Sequence, residues 1–372
     1  SDLDKWRYSP DGTTIKDLVV PGKSILEMTS DELTSKAIEV FKSETDIEKL
    51  AKLANYVLPA DVMAEVFNRV DIAIDKIYSI ISHAVSRGDN IRMILYKMAE
   101  KKYITRLIEI LTHGASNVTL SSNATYSGVN RFNVLDLNGY TYTADGQPHV
   151  IIANEIKDSA GGGSIVKTPT GGAGGADGGG GYGDGGAGGG GLIILAKTVN
   201  VPTISADGAN GEDGGTTDVT GGGSKGGDGY MLVVGSDAPG TGGTGPIAND
   251  GKGNHGGGGG GGHFAYEPGG DGGSVTLVSY SSLSDVVIDV LKAIIDWYIV
   301  NVLGRSVTNA KSLPDIKGGG GGGGGETNGY SDSGGGGGGG CGNGGRGGTI
   351  DYGASAGENG QNVLLYLDFL MI

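Results

Sequence analysis

The sequence predicts an α+β multidomain chain: an N-terminal α-helical bundle, then a glycine-rich β-repeat domain of solenoid-like or sandwich-like type with one inserted apolar helix. Three observations predict it. Apolar residues recur at helical spacing up to Gly114 and at strand spacing beyond it. Glycine supplies 78 of the 372 residues, about three times its usual share, in runs such as Gly256 to Gly262, Gly318 to Gly325 and Gly334 to Gly340. Short apolar strands recur between those runs.

Residues 1–28 read as an irregular arm, with turn signals at Ser9-Pro10-Asp11-Gly12 and Val20-Pro21-Gly22. The bundle is expected over 29–114. Thr29 and Glu32 form a capping box before Leu33, Ala37, Ile38 and Phe41. Ser43 to Asp46 starts a second helix, and Pro59 heads a third that is expected to run to Gly88. Met63, Val66, Phe67, Val70, Ile74, Ile77 and Ile81 give that third helix a broad apolar stripe, suited to a bundle core. Asp89 or Asn90 caps a fourth helix ending at His113-Gly114. The bundle is expected to dock or oligomerise the chain. His83 and His113 have no partner at metal-ligand spacing and read as solvent-facing or capping residues.

From 115 to 372 a repeat is expected: an apolar strand, a short gap, an Ile-x-Ala-x-Gly segment and a glycine tract. The strands are His149–Ala153, Leu192–Ala196, Tyr230–Val234, Ser274–Val278 and Val363–Leu367, the first four beginning 43, 38 and 44 residues apart. Such a period marks units that bury a core only together. Asn138-Gly139 reads as a hairpin turn between Phe132–Leu137 and Tyr140–Tyr142. The insertion, 284–303, is apolar nearly all round, with Asp289, Lys292 and Asp296 as one polar stripe, and three central charges argue against a membrane span. A place between the two halves or between subunits is expected for it.

The net charge of -15 is uneven: 16 Lys+Arg face 18 Asp+Glu in 1–114, against 11 and 24 in 115–372. An acidic second half argues against nucleic acid and anionic membranes as partners. Cys341 is the only cysteine, so no intrachain disulfide forms. Ser1 to Asp4 does not resemble a signal peptide, which points to a processed start or to another exit from the cell, such as a virus particle.

Catalytic and cofactor motifs are absent. GxGxxG matches occur without a βαβ context, Gly223-Ser-Lys-Gly lacks phosphate-loop spacing, and Gly269-Gly-Asp-Gly-Gly-Ser-Val places serine where a calcium-roll aspartate belongs. Asp207, Asp228, Asp250 and Asp271 read as solvated turn residues, with hard-cation binding as the alternative. The expectation is no enzyme, no metal and no cofactor. Asn117-Val-Thr119 and Asn123-Ala-Thr125 are glycosylation sequons, making Asn117 and Asn123 candidate modification sites.

The text Gly318 to Gly325, Glu-Thr-Asn-Gly-Tyr-Ser-Asp-Ser, Gly334 to Gly340 resembles the glycine-rich adhesins that tip the long tail fibres of some phages. The strand-plus-Ile-x-Ala-x-Gly repeat is similar to glycine-rich surface and virion proteins of archaea and their viruses. The adhesin resemblance implies polyglycine II helices packed in a sandwich, with variable loops touching the host receptor. Such packing is physically coherent, because threefold glycine helices point N–H and C=O groups sideways and let backbones approach closely.

The function this implies is a tail-fibre or spike subunit on the virion surface, or extracellular, mediating host-cell attachment. The helical domain would join other tail or fibre proteins and form a homo-oligomer, with a trimer expected. Tyr182, His263, Phe264, Tyr266 and Tyr330 are the candidate contacts with a host-surface glycan or protein, since aromatics on bare glycine can stack on a sugar. The same aromatics would alternatively cap apolar ends of the glycine bundle. Two other functions are compatible: a cellular surface adhesin or filament protomer, with Val363–Ile372 as a donor strand, and a polysaccharide-acting enzyme with a carboxylate cluster on one face.

Overall fold

A computed structural model of the chain describes residues 27–83, 87–168, 191–205, 231–234 and 283–313. The chain forms two compact units, Ser1–Ala115 with Ser284–Pro314, and Ser116–Leu283 with Asp315–Ile372.

In the helical unit, α1 (Ser30–Ser43) opens on the capping box: Glu32 N–H donates to Thr29 Oγ1 at 3.2 Å and Thr29 N–H to Glu32 Oε2 at 3.1 Å. It buries Ala37, Val40 and Phe41. Next, α2 (Ile47–Lys52), capped by Asp46, runs on into a π-helical turn, Leu53–Val57. The long helix expected from Pro59 is interrupted. It forms α3 (Ala60–Asn68) and α4 (Ile74–Ser82), and the break is held from far along the chain. Arg106, buried, donates to the carbonyls of Phe67 at 3.2 Å, Arg69 at 2.9 Å and Ile72 at 2.7 Å, tying together the backbone acceptors around the break.

The fourth expected helix is also two, α5 (Asp89–Glu100) and α6 (Ile104–Thr112). Tyr103 N–H donates to Met98 O at 2.9 Å and Lys102 N–H to Ala99 O at 3.0 Å. This is a Schellman stop, with Lys102 at φ 60° where glycine is usual.

The inserted helix, α7 (Leu283–Asn301), packs within the helical unit. Asp296, fully buried, accepts a forked pair from Arg92 at 2.9 and 2.8 Å, the Tyr96 hydroxyl at 2.8 Å and Lys311 N–H at 2.7 Å. Burial and the Asp296 carboxylate push the Tyr96 phenol up to about 12. Lys292 pairs with Glu100 at 2.9 Å, so the polar stripe of α7 faces α5. Tyr298, also buried, donates to Ile110 O at 3.3 Å.

The second unit departs from the expected solenoid or sandwich of packed polyglycine II helices. Its described strands form one curled all-parallel sheet, a half-barrel, which together with the helices is an α/β-like fold. The strands are β1 (Asn117–Thr119), β2 (Ala124–Asp136), β3 (Thr141–Lys157), β4 (Ser164–Lys167), β5 (Leu192–Asn200), β6 (Thr203–Ser205) and β7 (Met231–Val234). No polyglycine II helix occurs among the described residues, and the sheet consists of the side-chain-bearing strands.

The physical reason lies in β3. One edge pairs along β2, while the other pairs first with β4 (Thr141↔Ser164) and then with β5 (His149↔Leu192). A strand that continues past both partners merges them into one hydrogen-bonded layer, whereas a sandwich needs two separately bonded ones. Asn138 and Gly139 do take positive φ, at 50° and 83°, but the strands on either side run parallel. Because β2 curls, Leu120 N–H, just ahead of it, reaches Asp136 O at its end at 2.9 Å.

The register leaves a corner between two sets of paired segments. Ala124–Ser127, Thr141–Ala144, Ser164–Lys167 and Thr203–Ser205 stand side by side before it, and Val129–Asp136, His149–Lys157, Leu192–Asn200 and Met231–Val234 after it. Gly128 crosses the corner in β2 at φ 69° and Gly146 begins the crossing in β3 at φ 73°, conformations that suit glycine. In the next two levels the described residues end at Thr168 and Ser205 and resume ahead of Leu192 and at Met231. The sequence between those points is the glycine-rich text.

One face of the sheet packs Phe132, Leu135, Tyr142, Ile151, Ala153, Ile165, Leu192 and Ile194 into a single cluster. Val150, Ile152, Ile193 and Leu195, of opposite parity, are buried too. Burial on both faces explains the unbroken apolar runs His149–Ala153 and Leu192–Ala196, the usual text of parallel strands.

Candidate functional site

Among the described residues of the sheet unit, the corner gathers a buried histidine, a buried lysine and a buried tyrosine. His149, wholly buried, opens the segment that follows it. Its Nδ1 lies 3.2 Å from Asp145 O and its Nε2 lies 3.0 Å from the Tyr142 hydroxyl. A carbonyl only accepts, so Nδ1 carries the proton and Nε2 accepts from Tyr142. Tyr142 stacks on Tyr126 with ring centres 4.6 Å apart, and Phe132 meets both edge-on. Lys167, on β4, is buried, with Nζ donating to Thr168 O at 3.1 Å. Thr168 Oγ1 in turn donates to Asp145 Oδ1 at 2.9 Å.

The electrostatics follow from that packing. Burial pushes the His149 imidazole down to about 4, and the Lys167 cation adds to the fall while Asp145 opposes it. The Thr168 hydroxyl and the Gly146 N–H hold Asp145 below the usual carboxylate range. Burial drives the Tyr142 phenol well up. At neutral pH the ring is therefore uncharged, with both nitrogens engaged. The arrangement fixes the corner; it does not present a base or a nucleophile to solvent.

At the opposite end of the strands the turns stack. Asp136 Oδ1 accepts from Asn138 N–H at 3.0 Å and from Ser159 N–H at 2.9 Å, and Asp158 spans Gly139 N–H at 2.6 Å and Gly163 N–H at 2.7 Å. A Cβ on Gly163 would lie 2.8 Å from Leu137 Cβ, so that turn needs bare backbone. Three asparagines form a ladder across β3, β2 and β1: Asn154 Nδ2 donates to Asn133 Oδ1 at 2.8 Å, and Asn133 Nδ2 to Asn117 Oδ1 at 2.7 Å.

Of the residues singled out by sequence, Tyr182, His263, Phe264, Tyr266 and Tyr330 lie outside the described residues, as do Asp207, Asp228, Asp250, Asp271 and Cys341. The two sequon asparagines are exposed and already engaged. Asn117 ends the ladder, and Asn123 Oδ1 accepts from Thr141 N–H at 2.9 Å. The sequence reading missed the His149 cluster. A histidine heading a run of consecutive apolar residues has no polar face to occupy, and that signal was there to be read.

Among the described residues no group of His, Cys, Asp and Glu is placed to hold a metal ion. None of their helices is long and apolar enough to cross a membrane. A cleft of about 360 Å³ runs along α1, lined by Asp31, Glu32, Ser35, Lys36 and Glu39; it is an open trough on an acidic helix face. Compared with family models, curated proteins and solved structures, the chain has no match.

Proposed function

We propose that the chain is a non-enzymatic structural and recognition protein, a tail-fibre or spike subunit of a virion that attaches to a host cell. The observation that carries this reading is the corner. Two glycine-rich tracts, 169–190 and 206–230, begin and end at neighbouring levels of one strand corner in a sheet built from side-chain-packed strands. Segments that join the strands of a side-chain-packed sheet are where recognition residues are disproportionately carried. The chemistry at the corner supports the same reading, because His149 and Tyr142 spend their polar atoms on each other and on the backbone.

In this reading the contacts with a host-surface glycan or protein belong to Tyr182, His263, Phe264, Tyr266 and Tyr330. The helical unit joins the chain to other tail or fibre proteins and to further copies of itself, as a trimer. Binding of the labelled full chain to intact cells tests this. Saturable binding that a surface glycosidase or protease removes is the expected outcome, and no saturable binding to any cell surface offered would overturn the reading.

A further inference from the structure

We propose that the corner of the sheet is an acid-sensitive lock, in which uptake of a proton by His149 opens the joint between the two halves of β3. The geometry makes His149 the keystone. Its ring ties the start of the second half, through Asp145 O, to the end of the first, and through Tyr142 to the aromatic stack on β2. Gly146 at positive φ lies in the short crossing between Asp145 and His149, where the paired register of the first half ends and that of the second begins.

Burial favours a neutral ring, Lys167 adds to that preference and Asp145 opposes it. Lys167 approaches from β4, Asp145 and Tyr142 from β3, Tyr126 stands behind Tyr142 on β2, and Leu192 of β5, in register with His149, brings no charge. A second charge beside buried Lys167 has no water to solvate it, so the closed corner resists the proton and the opened corner accepts it.

The sign follows. Closed, the ring titrates at about 4; opened to water it titrates at its ordinary value, about 6.5. Opening is thus insensitive to pH above about 6.5 and grows as pH falls from there toward about 4, increasing roughly 20-fold between pH 7 and pH 5. Asp145 and Asp136, which are held below the usual carboxylate range, lose their contribution mainly at lower pH than this window.

The test is hydrogen exchange of the full chain at pH 7 and pH 5, corrected for the intrinsic rate, followed in peptides covering 149–157 and, as a control, 104–112. Protection of 149–157 should fall roughly 20-fold while 104–112 changes less. In His149→Gln, which keeps a donor and an acceptor and cannot be protonated, the fall should vanish. If that variant does not fold, His149→Phe serves in its place. A wild-type chain whose 149–157 protection is flat between the two pH values overturns the proposal without any variant, as does an undiminished fall in the variants.

Discussion

Asp296 shows how much one side chain settles in this molecule. It is an acidic residue in the middle of an apolar helix, and four donors from α5 and from the segment after α7 converge on its carboxylate. Burying a charge is unfavourable unless pairing and hydrogen bonding both compensate, and here both do. Asp296→Ala would leave the Arg92 fork and the Lys311 N–H facing a void. The expected loss is about 3 kcal/mol or more, read as a shift in the denaturant midpoint of the fluorescence of Trp297, the neighbour of Asp296 in α7. Arg106 does comparable work at the break after Asn68, where one guanidinium collects three carbonyls. Neither role could be read along the chain. The sequence marks Asp296 as polar and Arg106 as basic, but Arg92 lies 204 residues from Asp296 and the carbonyls that Arg106 collects lie 34 to 39 residues away.

At the scale of elements, local signals read well and direction read badly. The capping box at Thr29 and Glu32 forms as its residue types require. The strands at His149 and Leu192 fall where their apolar runs place them. The helix stop at Lys102 was illegible because a lysine occupies the left-handed position that glycine usually announces. The Asn138-Gly139 pair announced a hairpin and delivered its positive φ values, but the curl of β2 turned the next strand parallel. The same curl brings Asn117, Asn133 and Asn154 into one ladder, which spacing alone does not reveal. Asn133 is its middle rung, donating to one neighbour and accepting from the other. Asn133→Asp keeps the acceptor and loses the donor. It should lower stability by about 1 kcal/mol, and a midpoint unchanged in thermal unfolding would mean that the ladder contributes nothing.

Over the whole molecule the sequence led to the wrong class for the second unit. A period near 40 residues, with glycine in every unit, pointed to a glycine-built solenoid or sandwich. Among the described strands His149 lies beside Leu192 and Leu192 beside Met231, but the pairs belong to one parallel sheet packed by apolar side chains, and the expected strands Ser274–Val278 and Val363–Leu367 lie outside the described residues. Continuous apolar runs carried that information, because a strand buried on both faces has no polar alternation. The charge division acquires a structural setting as well: the near-neutral part of the chain, 1–114, belongs to the helical unit, and most of the acidic remainder to the unit that carries the glycine tracts. In the proposed function the strands supply order and the tract aromatics supply contact, and these two duties are separable by mutation. The decisive measurement is cell attachment by the full chain carrying Tyr182→Ser, Tyr266→Ser and Tyr330→Ser together, with thermal unfolding recorded on the same sample. The account predicts attachment reduced at least about 10-fold, equivalent to about 1.4 kcal/mol, with an unchanged unfolding midpoint. Attachment equal to that of the unmodified chain would contradict it.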